Sequence, residues 1–137
     1  MIHASRTSRA VQSCLGTEFG LALQTMVVGT PGAVAAVVSD DEGDAIDYAH
    51  DPEEMDALDV QLLAAQISQS LFRVDGTASN FGLDAPVLLL ETSRYGLVAS
   101  PVADDYVVAM LMERRANMGR AFDCFRQGRH TLHGLLR

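Results

Sequence analysis

The sequence predicts an α+β fold, a three-layer α/β/α sandwich around a five-stranded, mainly antiparallel sheet. Three observations predict it. Two short strand patterns separated by a turn occupy residues 33–39 and 44–49. A long amphipathic helical pattern follows at residues 51–74. Three further strand patterns then lie close together, and the tight turns between them favour antiparallel pairing. With a helix at each end, the order is helix-strand-strand-helix-strand-strand-strand-helix.

The N-terminal third is predicted to form one helix and one hairpin. After a loose terminus at residues 1–5, apolar residues at helical spacing predict a helix from about Arg6 to Val28. The Gly- and Pro-containing stretch at 29–32 ends it. The Val-rich run Ala33–Ser39 is typical of a buried strand, and Asp44–Ala49 predicts a more polar strand after the turn.

The long helix, from Asp51 to Val74, is the most informative stretch. Asp51 can cap it, Pro52 suits its first position, and Glu54 completes a capping box. Its apolar side chains form two stripes on nearly opposite sides. The first stripe contains Met55, Leu58, Leu62, Ala65 and Phe72. The second contains Val60, Leu63, Ile67, Leu71 and Val74. A surface helix of a monomer needs one stripe, so two stripes indicate burial on both sides.

The C-terminal half supplies the remaining strands. Residues 74–86 are predicted to be a loop, in which Phe81 either plugs the core or remains an exposed anchor. Three strands are then predicted at Val87–Glu91, Leu97–Val102 and Tyr106–Met112, the last being the most apolar and therefore central. Pro101 restricts its strand to an end or an unpaired position. A helix at 115–136 follows, which Gly128 is expected to break or bend.

Composition excludes several function classes. At 137 residues the chain is predicted to be one domain, residues 1–137. The net charge of −8 argues against nucleic-acid binding, and all ten basic residues are Arg, which excludes a phosphate-binding or Schiff-base lysine. No apolar run approaches a membrane span, and the N-terminus has no signal-peptide pattern, so we expect a cytoplasmic protein. Cys14 and Cys124 are interpreted as buried free thiols, with a disulfide or a redox pair as the alternative.

No catalytic, metal or cofactor site is predicted. The acidic turn at 40–47 lacks the spacing of a calcium loop, and His130 and His133 have no convincing additional metal ligand. No sequence frame places a nucleophile or a phosphate loop. An arginine supplied in trans to a phosphoryl-transfer site is an alternative for Arg114, Arg115 and Arg120, but a basic helix surface explains them sufficiently.

The chain resembles the Roadblock (dynein light chain type) superfamily over about residues 15–136, and within it the bacterial MglB-type regulators of small Ras-like GTPases. The resemblance is carried by Gly29-Thr-Pro-Gly32 leading into AVAAVVSDDEGDAIDYA, by the long helix, and by VLLLETSRYGLVASPVADDYVVAMLM. The following stretch 114–119 resembles the entry into the last helix of this family. The acidic second strand, around Asp44 to Asp47, is less apolar than the usual pattern.

This resemblance implies a sheet with the first and last helices on one face and the long helix on the other. It also implies dimerisation through the long helix and the following strand, in a non-catalytic adaptor without cofactor that binds a small Ras-like GTPase and in some members accelerates GTP hydrolysis. We expect a homodimer, or a pair with a paralogous Roadblock protein. A scaffold with no effect on turnover and a small-ligand sensor with an enclosed pocket are the alternatives.

Two sets of site residues follow. The first stripe, rather than the second, is assigned to the partner side, because Gln66 and Gln69 border it and the second stripe is richer in β-branched residues. The expected dimer interface comprises Met55, Leu58, Leu62, Ala65, Gln69, Phe72, Val87 and Leu89. The expected partner-docking rim comprises Asp56, Asp59, Gln66 and Ser70.

Overall fold

The structure, a computed structural model, describes residues 17–84 and 86–136, together with the backbone of residues 12 and 13. The described helices and strands follow one another in the predicted order, and one short strand precedes the first helix. In chain order they are β1 (Gln12–Ser13), α1 (Glu18–Gly29), β2 (Ala33–Asp40), β3 (Ala45–His50), α2 (Ala57–Asn80), β4 (Leu88–Glu91), β5 (Tyr95–Ala103), β6 (Tyr106–Glu113) and α3 (Met118–Leu136).

All strand pairs in the sheet are antiparallel, and the strands lie in the order β1-β3-β2-β6-β5-β4. The apolar strand β6 therefore lies in the middle, beside β2, as the sequence predicted. The five predicted strands are confirmed, and the two-residue β1 extends the sheet at the β3 edge. Pro101 lies near the end of β5, where the register shifts before Ala103, so its missing N–H is accommodated at an irregular position.

The helices cover both faces of the sheet, which confirms the three-layer sandwich. On one face, α1 and α3 pack over a core that includes Leu23, Val98 and Phe125. On the other face, α2 packs alone over a core that includes Val37, Ala99 and Leu71. Alternate residues of each central strand enter one core or the other, because side chains alternate along a strand. The single helix on the α2 face leaves that face with less cover than the other.

The predicted first helix was too long. Gln12 and Ser13 are in β1, paired with His50 and Ala49, and α1 begins only after Thr17. The Thr17 hydroxyl accepts a hydrogen bond from the Gly20 N–H at 3.2 Å and donates one to the buried Asp47 carboxylate at 2.6 Å. This cap fixes the helix start against β3. The rest of the predicted helix before Thr17, including Cys14, lies outside the described residues.

The predicted start of the long helix, at Asp51 and Pro52, was wrong. Asp51 instead closes a turn, since its carboxylate accepts from the Glu53 N–H and its carbonyl accepts from Glu54 and Met55. The helix begins after Asp56, whose carboxylate accepts from the Asp59 N–H at 2.9 Å. Asp56, five residues after Asp51, has the same capping chemistry and therefore sets the start of α2.

The predicted loop at 74–86 was wrong in its first half, because α2 continues to Asn80. Ala78 lies seven residues after Leu71 and is buried like it, so the sheet-facing stripe holds the helix together past Gly76. Of the two readings of Phe81, the core plug is wrong, since the ring is 77 % exposed at the helix end.

The sequence predicted that Gly128 breaks or bends the last helix, but the helix is not broken there. α3 is continuous from Met118 to Leu136, and Gly128 is buried where α3 crosses α1. A Cβ at this position would overlap the Met26 side chain of α1, so the glycine allows close helix packing. Cys124 lies on the same contact as a free, half-buried thiol, 3.4 Å from the Gly29 carbonyl oxygen.

Candidate protein interaction surface

The outer face of α2 carries large apolar side chains that nothing in the described chain covers. Val60, Ile67 and Leu71, from the second stripe, are buried against the sheet. Leu58 and Leu62, from the first stripe, are 63 % and 55 % exposed. The helix therefore presents one apolar stripe to the sheet and leaves the start of the other in solvent.

Strand β4 is the second element that the described chain leaves partly uncovered. It forms one edge of the sheet, pairs with β5, and has no described strand on its outer side. Neither α2 nor α3 packs extensively against it. An edge strand offers unpaired N–H and C=O groups to another strand. In β4 three consecutive leucines, from Leu88 to Leu90, precede the single charged residue Glu91.

Exposed apolar side chains are concentrated in this part of the chain. Of the ten large hydrophobic residues exposed among the described residues, eight lie between positions 58 and 90. They are Leu58, Leu62, Val74, Phe81, Leu83, Val87, Leu89 and Leu90. Such a concentration is typical of an interaction surface, whereas single exposed hydrophobic residues need no explanation. We refer to six of them, Leu58, Leu62, Val74, Phe81, Leu83 and Leu90, as the α2–β4 surface, because Val87 and Leu89 lie on the other face of the sheet.

The predicted interface residues on α2 do not all lie in solvent. Leu58, Leu62 and Gln69 are exposed. Met55 and Phe72 are half-buried and pack against the core beneath α2. Ala65 is half-buried because its backbone lies against the turn between β2 and β3, where a Cβ on Gly43 would come within 3.0 Å of the Ala65 Cα.

The predicted strand residues lie on the sheet face opposite α2. Leu89 pairs with Val98, whose side chain belongs to the core under α1 and α3, so Leu89 points to that face. Leu90 pairs with Leu97, which belongs to the core under α2. Leu88, which pairs with Ala99 of the same core, and Leu90 are thus the β4 residues on the α2 face that the sequence reasoning missed, and Leu90 is 49 % exposed. Strict alternation along the strand was the signal available, but its phase could not be read from three leucines in a row.

The sequence and the structure differ in what they match. No family model matches the sequence, and no curated protein matches it. Among solved structures, the Roadblock/LC7 domain from Streptomyces avermitilis superimposes with a TM-score of 0.74 at 18 % identity, covering 85 % of this chain and 95 % of that one. Myxococcus xanthus MglB gives a TM-score of 0.76 at 16 % identity, covering 90 % and 98 %. The chain has the Roadblock fold. A third structure, described as MglB with tetrameric arrangement, gives a TM-score of 0.74 at 15 % identity, covering 84 % and 85 %.

The predicted rim lies on the exposed sides of α2 in this Roadblock fold. Asp56, Asp59, Gln66 and Ser70 are all exposed. Asp56 is partly engaged as the helix cap, and the Ser70 hydroxyl donates to the Gln66 carbonyl at 3.2 Å. Asp59 and the Gln66 amide make no side-chain hydrogen bond or ion pair among the described residues. They are the members of the rim with polar groups available to a partner.

Among residues 17–84 and 86–136, no three His, Cys, Asp or Glu side chains cluster in a way that could hold a metal. An open cleft of about 910 Å³ lies where the C-terminal ends of α2 and α3 meet the turn between β5 and β6. Of the candidate arginines, Arg115 pairs with Glu113, while Arg114 and Arg120 donate to backbone carbonyls. No described helix is both long and apolar enough to cross a membrane.

Proposed function

We propose that this protein is a non-catalytic homodimeric adaptor that binds a small Ras-like GTPase. The observation that carries the proposal is the α2–β4 surface, where an exposed apolar helix face adjoins an unpaired sheet edge. The Roadblock fold supports it, because the bacterial members that the sequence resembles bind such GTPases. The regulatory role is assigned to a surface, with no catalytic residue.

A second copy of the chain is the simplest cover for this surface. Two antiparallel β4 strands related by a two-fold axis would satisfy each other's free N–H and C=O groups and join two sheets into one. The same axis would bring Leu58, Leu62 and Leu90 of one copy close to those of its partner. A solved structure similar to this chain is described as MglB with tetrameric arrangement, which supports self-association.

The GTPase is proposed to dock on the paired α2 helices. Asp59, Gln66 and Ser70 of both copies would border the apolar stripe there, with Asp56 at the helix starts. A polar rim around an apolar centre is the usual anatomy of a protein interface. The acidic members would favour a partner with basic side chains at this place.

Substitution of Leu62 tests the homodimer. Leu62→Asp places a charge in the proposed apolar interface, which should cost about 3 kcal/mol or more and raise the dimer dissociation constant more than a hundredfold. Leu21→Asp is the matched control, because Leu21 is similarly exposed, at 59 %, but lies on α1 in the opposite layer. Size-exclusion chromatography with light scattering at tens of micromolar should show a wild-type dimer, a Leu62→Asp monomer and a Leu21→Asp dimer.

Two results would contradict this part of the proposal. A wild-type protein that remains a monomer at these concentrations has no stable self-interface. A Leu62→Asp protein that remains dimeric must associate through another surface. Circular dichroism on each variant distinguishes loss of the dimer from loss of the fold.

The GTPase is tested with a small Ras-like GTPase from the genes next to this one, where the proposal expects one to be encoded. Gel filtration of the GTP-loaded GTPase with the wild-type dimer should give a stable complex, and Asp59→Arg should weaken it at least tenfold while leaving the dimer intact. Turnover measured with and without the adaptor then assigns the role. Faster hydrolysis identifies an activator, and unchanged hydrolysis with intact binding identifies a scaffold. Absence of any complex with either nucleotide state rejects the GTPase as partner.

A further inference from the structure

An apolar groove of about 460 Å³ lies between the last turns of α2 and the connection that leads into β4. On the other flank of α2, Ala65 lies against the turn between β2 and β3. Val74 follows Ala65 by nine residues, about two and a half helical turns, so its flank faces the β4 edge of the sheet. Phe81 and Leu83 beside it are 77 % and 65 % exposed. We define the α2-end groove by Val74, Phe81, Leu83, Asp84 and Pro86.

Backbone hydrogen bonds at the end of α2 fix the shape of this groove. The Leu83 N–H donates to the Ala78 carbonyl at 2.8 Å, and the Gly82 N–H donates to the Ser79 carbonyl at 3.0 Å. Gly82 has a φ of 70°. These two bonds and a left-handed glycine make a Schellman motif, which ends a helix in one defined conformation. The α2-end groove is therefore already formed in the single chain.

The rim of the groove carries a carboxylate that is available to a partner. Asp84 is exposed, and its side chain makes no hydrogen bond or ion pair with any residue that the structure describes. Arg73 borders the groove from α2 but forms no ion pair with Asp84. Asp75 lines the cleft near Pro101, outside this groove. An apolar groove with one carboxylate at its rim suits an arginine, whose stem is apolar and whose guanidinium binds carboxylates.

The turn between β4 and β5 presents such an arginine. The Thr92 hydroxyl accepts from the N–H groups of Arg94 and Tyr95, at 3.3 and 3.0 Å, and the Thr92 N–H donates to the Tyr95 carbonyl at 2.8 Å. These bonds order the turn. The Arg94 guanidinium lies 5.4 Å from the centre of the Tyr95 ring, and it forms no ion pair within the described part of the chain.

The charged groups around Arg94 leave its positive charge in excess. The shallow pocket beside it is also lined by two arginines and two glutamates, Arg114, Arg115, Glu54 and Glu113. Glu113 is paired with Arg115 at 2.8 Å, and Glu91, at the end of β4, faces Arg114 at 3.8 Å. Glu54 forms no ion pair with Arg94. Three arginines therefore stand against two glutamates in this pocket, and Arg94 is the one without a paired carboxylate.

We propose that Arg94 of a second copy of this chain binds in the α2-end groove and pairs with Asp84. The proposal rests on the homodimer proposed above, in which two β4 strands pair about a two-fold axis. Such strands run antiparallel, so the end of one β4 lies beside the start of the other. Arg94 follows the last residue of β4 by three positions, and Asp84 precedes the first by four, so the two lie at the same level along the joined sheets.

This contact determines which chains can pair. The two-fold axis makes it twice, once at each end of the β4 pair, with the Arg94 stem against Phe81 and its guanidinium at Asp84. Backbone pairing of β4 is nearly independent of sequence, whereas these two ion pairs require both charges in both chains. A paralogous Roadblock chain that lacks them would pair less tightly with this one. The α2-end groove thus favours a second copy of the same chain.

Charge reversals test the contact. Arg94→Glu and Asp84→Arg each place like charges at both ends of the β4 pair, and each should raise the dimer dissociation constant at least tenfold. Arg126→Glu and Asp123→Arg are the matched controls, because they change the net charge equally but lie on exposed α3 surface in the opposite layer. Both should remain within twofold of wild type. Analytical ultracentrifugation over a range of protein concentrations measures the four constants.

Mixing the two reversed chains shows whether the charges face each other across the interface. In a heterodimer of Arg94→Glu with Asp84→Arg, one contact joins Glu to Arg and the other joins the original Asp84 and Arg94, so both are attractive. The mixture should therefore dimerise within about threefold of wild type, although each chain alone does not. Native mass spectrometry with one chain isotopically labelled should show mainly the heterodimer. Recovery on mixing also demonstrates that both variants are folded.

The same samples separate this proposal from the homodimer proposal. If the wild-type protein is a dimer and both reversed variants dimerise like it, the groove proposal fails alone. It also fails if both variants are weakened but mixing does not restore the dimer. If Asp84→Arg keeps the dimer and instead weakens the GTPase complex, the groove belongs to the GTPase and the assignment to a second copy is overturned. If the wild-type protein is a monomer, the homodimer proposal fails and this one fails with it.

Discussion

Gly128 shows how one missing side chain sets the distance between two helices. Glycine in a helix interior costs about 1 kcal/mol relative to alanine, which is why the sequence predicted a break or a bend there. The structure instead has a continuous α3 whose Gly128 lies directly against the buried Met26 of α1. Close contact between α1 and α3 offsets the helix penalty, an effect of tertiary packing that no local pattern contains.

Alanine substitutions at two glycines of α3 separate these effects. Gly128→Ala should lower the free energy of unfolding by about 1–2 kcal/mol, since overlap with Met26 exceeds the gain in helix propensity. Gly134→Ala should raise it by up to about 1 kcal/mol, because no atom lies within 4 Å of the added Cβ. Urea unfolding measures both. Stabilisation by Gly128→Ala would show that Met26 moves aside freely and that the helices are not closely packed there.

At the scale of the element, α2 shows what the sequence could and could not predict. Its existence and its two apolar stripes follow from periodicity, whereas the choice of the stripe in contact with the sheet rested on the bordering glutamines and on β-branched content. The first residue of α2 could not be predicted, because Asp51 and Asp56 offer the same capping chemistry and only the turn at 51–55 decides between them. The last residue of α2 could not be predicted either, because the burial of Ala78 depends on the sheet that lies beneath the helix.

β4 shows the corresponding limit for the candidate site. The sequence indicated a strand at this place and assigned Val87 and Leu89 to the dimer interface. The register with β5 places both on the face away from α2 and leaves Leu90 on the α2 face. A one-residue difference in phase moves every side chain to the other face, so an unbroken run of apolar residues leaves the choice open.

Hydrogen exchange of β4 tests its proposed pairing. In the wild-type dimer, the outward amides of residues 88–91 should be protected by the second β4 strand. In the Leu62→Asp monomer they should exchange at least tenfold faster, because the edge is open to water. β6, which has strands on both sides, is the internal control and should be unchanged. Exchange measured by mass spectrometry at equal protein concentration makes the comparison, and equal rates in β4 would argue against strand pairing.

At the scale of the whole molecule, the fold gathers charges that are distant in sequence. Asp40 pairs with Tyr106 across the centre of the sheet, so the acidic turn at 40–44 lies beside the turn formed by Asp104 and Asp105. Arg94 and Arg114 meet at the opposite end of the strands, where the Arg114 N–H donates to the Arg94 carbonyl at 2.9 Å. The sequence has ten Asp and Glu residues between positions 40 and 59 and six Arg residues between positions 113 and 137, while the sheet order decides which turns share an end. Acidic residues at one end of the strands and arginines at the other favour one orientation of a charged partner as it approaches.

The pairing of β2 with β6 also determines the order in which the molecule can be assembled. The hairpin of β2 and β3 and the meander from β4 to β6 consist of contacts between near neighbours in the chain, and each can form early. The joining of these two units is different, because Ala33 pairs with Met112, which lies 112 − 33 = 79 residues further along the chain. Closing such a long loop is slow, so we expect the joining of these two halves to limit the folding rate. During synthesis on the ribosome, neither core can form until β6 has emerged. Until then, the apolar side of α2 that packs on the sheet stays exposed to solvent.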